Sequence, residues 1–96
     1  MLKEKVIVKS EIGLNARVAS IFLRNSVKFN SKVILIKDNN RYNGKSILSI
    51  LSMQVANGEE IEIEITGDDE IKAMECLISF FSQDLKEFLY YIKNLV

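Results

Sequence analysis

One short segment of the sequence places side chains where they could bind a phosphate or another anion. Gly13 provides a hinge, Asn15 stands where a helix N-cap belongs, and Arg17 follows in what would be the first helical turn. Backbone N–H groups at a helix N-terminus are free to bind anions, and a nearby arginine strengthens such a site. The segment therefore indicates an anion site, although a solvated arginine at a helix start is an equally simple interpretation.

The residues that catalysis requires are missing from this segment and from the rest of the chain. The sequence has no histidine, and its single cysteine is Cys76. It contains no P-loop motif and no cluster of metal-ligating residues. The acidic pairs at 59–60 and 68–69 fit the start of a strand and the first turn of a helix. The sequence thus predicts a binding protein rather than an enzyme, without a catalytic residue, a cofactor or a bound metal.

Length and composition indicate a single domain. With 96 residues the chain can bury a core of its own. A single cysteine forms no internal disulfide, and no apolar run approaches the roughly 18 residues of a membrane-spanning helix. We therefore expect a cytoplasmic protein that is not bound to a membrane.

Charge is divided between the two halves of the chain although its net value is zero. Residues 1–45 contain ten Lys or Arg and three Asp or Glu, whereas residues 46–96 contain three and ten. A basic half can mark a nucleic-acid-binding protein, but aromatic side chains interleaved with the basic ones, which would stack on bases, are missing. Pairing of basic and acidic strands within one sheet is the favoured explanation, and direct binding of nucleic acid is not expected.

The order of the elements follows from hydrophobic spacing and turn residues. β-branched runs predict strands at "KVIVKS" and "KVILIK", and "DNN" predicts a turn into a brief return strand. Alternation of glutamate and isoleucine over 60–66 predicts a fourth strand with one buried face. Helices are expected after the first, third and fourth strands, which gives the order βαββαβα. Such a chain folds as an α+β domain in which three helices cover one face of a four-stranded, mainly antiparallel sheet.

Three motifs, in order and at matching spacing, resemble those of the HPr family, the small phosphocarriers of the bacterial sugar phosphotransferase system. They are "GLNARVAS", "NGKSILSILSM" and "NGEEIEIEITGDDEIKAM", and the likeness covers about residues 3–84. The resemblance implies an open-faced sandwich fold, with residues 1–96 forming a single domain. Because histidine is absent, the chain is most similar to the histidine-lacking, catabolite-repression group of the family.

In the family, the histidine that accepts the phosphoryl group stands at the position of Asn15. A neutral imidazole has a free nitrogen lone pair, whereas the lone pair of an amide nitrogen is delocalised into its carbonyl. The resemblance therefore implies a protein that keeps the N-cap but has no phosphocarrier activity. Arg17 matches the arginine that binds phosphate in the family, and Val18 replaces a usual proline.

Ser46 matches a serine that HPr kinase/phosphorylase phosphorylates in Gram-positive members of the family. The resemblance implies that the phosphorylated form binds a transcriptional regulator like catabolite control protein A, or a metabolic enzyme, in carbon catabolite regulation. A phosphate there would gain from the helix dipole and from a nearby cation. The residues expected to contact the partner are Arg17, Lys45, Ile47, Leu48 and Leu51. The alternative is that Ser46 serves only as an N-cap.

The last predicted helix extends past the region of resemblance, so that residues 85–96 form a C-terminal helical extension. Apolar residues recur along this helix at alternating intervals of three and four, at Ile71, Met74, Ile78, Phe81, Leu85, Phe88, Ile92 and Leu95. The first four should cover the sheet, and the remainder indicates an interface. The residues expected to mediate a homodimer are Phe88, Leu89, Ile92 and Leu95. Alternatively, the extension folds back on its own domain.

A second hypothesis for the function follows from these surfaces. The HPr-like fold would be a scaffold in a structural or assembly protein that self-associates through the C-terminal helix. The outer face of the sheet supports this hypothesis, since period two places Ile7, Ile34 and Ile36 there, where an uncovered sheet would carry polar groups. Ser46 would then be only a helix cap.

Overall fold

A four-stranded antiparallel sheet carries three helices on one face, which confirms the predicted architecture and element order. The structure is a computed structural model, and it describes residues 1–9 and 13–82. The order of the strands across the sheet is β1-β4-β2-β3, in the numbering that follows. The elements are β1 (Leu2–Ile7), α1 (Ala16–Ser26), β2 (Lys32–Lys37), β3 (Asn40–Asn43), α2 (Ile47–Ser52), β4 (Glu60–Thr66) and α3 (Glu70–Ser82).

Strand β4 is central in the sheet and supplies much of the core. Its isoleucines Ile61, Ile63 and Ile65 are each at most 1% exposed. In the neighbouring β2, Val33 pairs with Ile65 and Leu35 pairs with Ile63, and both β2 residues are fully buried. Because alternate residues of a strand face opposite sides, this register places every apolar residue of β4 beneath the helices.

Three phenylalanine rings join α1 to α3 within the core. Phe22 of α1 lies 5.8 Å from Phe80 and 5.4 Å from Phe81, measured between ring centroids. Phe80 and Phe81 are 5.1 Å apart, with their planes at 80° to each other. Aromatic pairs in such arrangements add to the stabilisation that burial alone provides. The two helices are therefore fixed side by side above the sheet.

The buried face of α3 differs from the predicted one. The spacing predicted that the first four apolar residues of the pattern cover the sheet, but Ile71 is 65% exposed. Leu77 is fully buried, and at about 100° per residue Ile71 lies about 120° away from it around the helix axis. The prediction for Ile71 was wrong because intervals of three and four do not specify which flank of the stripe meets the sheet. The buried residues of α3 are Ala73, Met74, Leu77, Phe80 and Phe81.

Ion pairs between the basic and acidic halves of the chain cross the opposite face of the sheet, called the helix-free face because no helix within residues 1–9 and 13–82 lies on it. Lys3 of β1 lies 3.9 Å from Glu62 and 3.6 Å from Glu64 of β4. Glu64 also pairs with Arg41 of β3, and this guanidinium lowers the pKa of the Glu64 carboxyl. The division of charge along the sequence therefore serves strand pairing, as the sequence predicted.

The Arg41 side chain also covers part of the apolar surface on this face. Strand β2 lies between β3 and β4, so the pair of Arg41 with Glu64 passes over β2. Ile34 and Ile36 on β2 are half-buried, whereas Ile7 on the edge strand β1 is 49% exposed. The alkyl stem of an arginine can shield apolar neighbours in this way while its charged group stays in water.

Asp69 joins the start of α3 to the start of β2. Its carboxylate accepts the backbone N–H groups of Asn30 at 2.8 Å and Ser31 at 3.0 Å, and it also accepts the Ser31 hydroxyl. These hydrogen bonds, led by the one from the hydroxyl, hold the pKa of the Asp69 carboxyl below its usual value. Gly67 lies against the same serine, since a Cβ there would be 2.4 Å from the Ser31 Oγ.

We expect replacement of Asp69→Asn to lower the melting temperature at pH 7, because the variant loses the charged acceptor of three hydrogen bonds. A carboxyl whose pKa is lowered by folding stabilises the native state above its unfolded pKa, and this contribution disappears as the pH falls through the folded pKa. The difference between parent and variant should therefore shrink in acid. Thermal unfolding followed by circular dichroism at pH 7 and pH 3 measures it, with Asp68→Asn, an exposed neighbour, as the control. A difference that is the same at both pH values would contradict this assignment.

Candidate functional site

The first predicted site residue, Asn15, is the N-cap of α1. Its backbone is extended, and its side-chain Oδ1 accepts the N–H of Val18 at 3.0 Å. Leu14, the residue before it, donates its N–H to the carbonyl of Val55 at 2.9 Å. Arg17 is exposed and forms no hydrogen bond or ion pair with another described residue. The start of α1 is thus fixed by its cap and by one backbone bond, and Arg17 is directed to solvent.

Gly13 allows this loop to approach the segment after α2. Its φ of +65° lies in the left-handed region, and a Cβ at this position would be 2.3 Å from the Val55 carbonyl oxygen. Any side chain would therefore separate the two segments. Glycine is required here by the close approach as well as by the backbone conformation.

The second predicted site residue, Ser46, is the N-cap of α2. Its Oγ accepts the N–H of Ser49 at 3.3 Å, and its own N–H donates to the carbonyl of Asn43 at 3.2 Å. Asn43 further orders this loop, because its side-chain oxygen accepts the N–H of Lys45 at 2.9 Å and its N–H donates to the Ser49 Oγ at 2.8 Å. The half-buried hydroxyl of Ser46 is therefore held at the end of an ordered turn.

Two hydrogen bonds show that α1 and α2 lie side by side in opposite directions. Near the end of α1, the buried hydroxyl of Ser26 donates to the Gly44 carbonyl, just before α2, at 2.7 Å. Near the start of α1, Leu14 bonds to Val55, just after α2. Ser46 consequently lies beside the last turn of α1, whereas Arg17 is in its first turn. Ser46 therefore lies at the start of α2, and Arg17, on the neighbouring α1, lies beside the end of α2. The helix between these two positions is about 9 Å long at 1.5 Å per residue.

The cation that lies beside Ser46 in the sequence, Lys45, is engaged elsewhere. Its ammonium donates to the carbonyl of Phe29, in the loop after α1. This bond, together with the one between Ser26 and Gly44, joins the segment after α1 to the segment before α2. Lys45 therefore stabilises the turn that presents Ser46.

The apolar residues that follow Ser46 differ in exposure. Leu48 is 77% exposed, whereas Ile47 and Leu51 are half-buried and pack against the core. Ile50 is fully buried and anchors α2. Sequence reasoning missed Val27, the C-cap of α1, which is 54% exposed and directly follows the serine that bonds to Gly44. Leu48 and Val27 are the large exposed hydrophobic residues of this region.

Sequence reasoning also missed Lys37, the last residue of β2, which caps the end of α2. Its Nζ donates to the carbonyls of Met53 at 3.1 Å and Gln54 at 2.9 Å, groups that a helix C-terminus leaves without partners. The same ammonium pairs with Glu59 at 3.2 Å, and the Lys37 side chain is only 14% exposed. The N–H of Ala56 and the Lys37 ammonium hold the pKa of the Glu59 carboxyl below its usual value. No local signal connects these residues, because they are brought together by the fold.

The contacts of Lys37 connect the two ends of the candidate site. The segment that it holds, residues 53–59, includes Val55, which receives the Leu14 N–H at the start of α1. The same segment bonds to Val8 after β1, through the N–H of Gly58 at 2.8 Å and the carbonyl of Glu59 at 3.0 Å. One cation thus helps to order the end of α2 and the start of α1 together.

The four residues expected to mediate self-association, Phe88, Leu89, Ile92 and Leu95, lie outside the described residues. The same is true of the rest of the predicted extension, residues 85–96. Among residues 1–9 and 13–82, no helix has the length and apolar character needed to cross a bilayer.

Comparison with known proteins identifies what the chain is similar to. The family model of the PTS HPr component phosphorylation site matches residues 2–83. The HPr-like protein Crh of Halalkalibacterium halodurans is 36% identical over 84 residues, which cover 88% of this chain and 100% of that protein. The crystal structure of HPr-C-His from Thermoanaerobacter tengcongensis superimposes with a TM-score of 0.85 at 33% identity, over 88% of this chain and 94% of that one.

A further solved structure is that of the Bacillus subtilis catabolite repression protein Crh, which is described as a dimer with a swapping domain. It superimposes with a TM-score of 0.71 at 36% identity, over 88% of this chain and 97% of that chain. These three relatives are therefore matched almost completely, and each match covers 88% of this chain.

Replacement of Lys37→Met should lower the free energy of unfolding by about 1–3 kcal/mol, since it leaves helix-end carbonyls without their charged donor. We also expect the substitution to accelerate hydrogen exchange at the backbone amides of residues 53–56 more than at those of β4. Urea denaturation and exchange followed by NMR measure both effects, with the exposed Lys32→Met on the same strand as control. Unchanged exchange at residues 53–56 would show that Lys37 does not order this segment.

Proposed function

Because the chain belongs to the PTS-HPr family, we propose that it is a regulatory binding protein of that family without the phosphocarrier step. The observation that carries this proposal is Asn15. It stands at the start of α1 with its amide oxygen bonded to the Val18 N–H, and its amide nitrogen has no free lone pair to accept a phosphoryl group. No histidine elsewhere in the sequence can replace it.

We further propose that Ser46 is the site at which the protein is regulated, by phosphorylation through HPr kinase/phosphorylase. The support is its position: the hydroxyl is the N-cap of α2, at the end where backbone N–H groups are oriented towards an anion. A phosphate of about two negative charges would replace the cap acceptor for the Ser49 N–H and add charge beside Leu48. Phosphorylation would thus change the charge of this surface without removing the helix cap.

The partner of the phosphorylated form is proposed to be a transcriptional regulator like catabolite control protein A, or a metabolic enzyme. The exposed Leu48 and Val27 offer apolar contacts next to the added charge. Arg17 lies on α1, beside the end of α2, whereas Ser46 lies at the start of α2. A partner that contacts both residues must therefore span α2. Ile47 and Leu51, being half-buried, would contribute only their exposed edges.

The experiment that tests Ser46 is phosphorylation of the purified protein by an HPr kinase with ATP. We expect about one phosphate per chain in the parent and none in Ser46→Asn, a change that removes the hydroxyl but keeps a good N-cap. Intact-protein mass spectrometry measures the incorporation. Ser52→Ala, which removes an exposed hydroxyl on the same helix, serves as the matched control and should be phosphorylated like the parent.

Phosphate uptake by Ser46→Asn at the rate of the parent would refute the serine assignment. The parent protein incubated with enzyme I and phosphoenolpyruvate should carry no phosphate. Acid-labile phosphate on the parent would contradict the proposal for Asn15.

A second function, assembly through self-association, is favoured by the carboxyl-terminal sequence. Residues after 83 lie beyond the family match, and Phe88, Leu89, Ile92 and Leu95 supply apolar side chains there. The B. subtilis Crh structure is described as a dimer, which provides a precedent within the family. We propose that this chain forms a homodimer in which these four residues are buried.

Removal of residues 86–96 should convert the protein into a folded monomer. Burial of four large apolar side chains contributes on the order of 6–10 kcal/mol before ordering costs, enough for a dimer at micromolar concentration. Sedimentation velocity across a concentration series measures the change. The full-length variant Lys86→Ala controls for altered sequence in the same segment, and a full-length parent that is monomeric at high micromolar concentration would contradict the proposal.

A further inference from the structure

The turn between β3 and α2 contains a ring of three hydrogen bonds. Ser46 donates its backbone N–H to the Asn43 carbonyl at 3.2 Å, and Asn43 donates its N–H to the Ser49 Oγ at 2.8 Å. Ser49 completes the ring, because its N–H donates to the Ser46 Oγ at 3.3 Å. Each residue gives one N–H to this hydrogen-bond ring and accepts another. The ring joins the last residue of β3 to the first turn of α2.

The Ser49 hydroxyl provides the acceptor that the Asn43 N–H needs. Gly44, the next residue, donates its N–H to the Val33 carbonyl of β2 at 2.8 Å. Hydrogen-bonded pairs alternate along antiparallel strands, so Asn43, which is paired with Ile34, directs its N–H away from β2. Since β3 is an edge strand, no further strand of the sheet can accept this N–H. Ser49 therefore ties α2 to the outer edge of β3.

The hydrogen-bond ring fixes the Ser46 hydroxyl without using its reactive groups. The Ser46 Oγ accepts one hydrogen bond, whereas a hydroxyl oxygen has two lone pairs and one hydrogen. No residue within 1–9 and 13–82 accepts that hydrogen. In phosphorylation, the remaining lone pair would form the bond from Oγ to the γ-phosphorus of ATP, and the bond from that phosphorus to the oxygen of ADP would break. The hydroxyl proton would pass to a base of the kinase.

We propose that Ser49 is a positioning residue for the phosphorylation of Ser46, because its hydroxyl holds the turn that presents the Ser46 Oγ. The inference rests on the regulatory site proposed above and adds the residue that prepares it. Asn43 contributes only backbone atoms to the ring, so Ser49 supplies the one side-chain oxygen in it besides that of Ser46. Without this hydroxyl the ring opens between α2 and β3. Ser46 then keeps its N-cap bond but is no longer held in one orientation, which slows its reaction.

The test is the rate at which an HPr kinase with ATP phosphorylates the parent and the variant Ser49→Ala. We expect kcat to fall about threefold to tenfold, the effect of one lost hydrogen bond. KM should stay within about twofold of the parent, because the exposed contact residue Leu48 is unchanged. Alanine favours a helix more than serine does, so helix propensity alone does not lower the rate.

Two further variants separate the Ser49 hydroxyl from other effects of substitution. Ser49→Thr retains a hydroxyl at this position and should keep kcat within about twofold of the parent. Ser52→Ala is the matched control, because the Ser52 hydroxyl bonds within α2, to the Ser49 carbonyl at 2.7 Å. Its kcat and KM should equal those of the parent. A kcat for Ser49→Thr as low as that of Ser49→Ala would contradict a role for the hydroxyl.

Hydrogen exchange followed by NMR tests the hydrogen-bond ring without the kinase. In Ser49→Ala, exchange at the Asn43 amide should accelerate at least about threefold relative to the Gly44 amide, which keeps its bond to Val33. Unchanged exchange at Asn43 would overturn the inference. If the parent is phosphorylated and Ser49→Ala retains the parental kcat, only the role of Ser49 is wrong. If Ser46 of the parent takes up no phosphate, the proposed regulatory site is wrong as well.

Discussion

The arrangement of the candidate site depends on one cation, the ammonium group of Lys37. It binds the carbonyls of Met53 and Gln54, directly after α2, and the carboxylate of Glu59, so that it contacts both ends of the segment 53–59. Val55 within this segment accepts the N–H of Leu14, the residue before the N-cap of α1. A six-residue helix is too short to persist alone, so its ends must be fixed by the rest of the protein. Ser46 fixes one end and Lys37 fixes the other.

The two helix starts show that residues of different chemistry can serve equally as N-caps. Asn15 and Ser46 both accept an N–H in the first turn of their helix, and either residue type meets that need. Their chemistry differs, because a hydroxyl can form a phosphate ester and an amide nitrogen has no available lone pair. The absence of phosphoryl transfer proposed for Asn15 would therefore leave the helix start intact, and Ser46, the proposed phosphorylation site, begins α2.

The helix-free face of the sheet shows how the division of charge is used. The edge strand β1 pairs its lysines with the acidic β4, and Arg41 on the other edge strand, β3, reaches across β2 to Glu64. Ile34 and Ile36 on β2, beneath this ion pair, are half-buried, so this face is less open to a partner than its sequence suggests. By contrast, Leu48 and Ile71 are exposed on the helical layer. The accessible apolar surface of the described residues is therefore concentrated on the helices.

The sequence by itself determined the element order, the buried face of β4, both N-caps and the absence of histidine. These features depend on local periodicity, on side chains that bond within one helical turn, and on composition. Only the tertiary structure decided that Lys37 meets Glu59, 22 residues away, that Arg17 and Ser46 lie at opposite ends of α2, and that Ile71 faces outward. Such contacts join elements distant in sequence, and the angle at which a helix lies on its sheet is set by packing rather than by spacing.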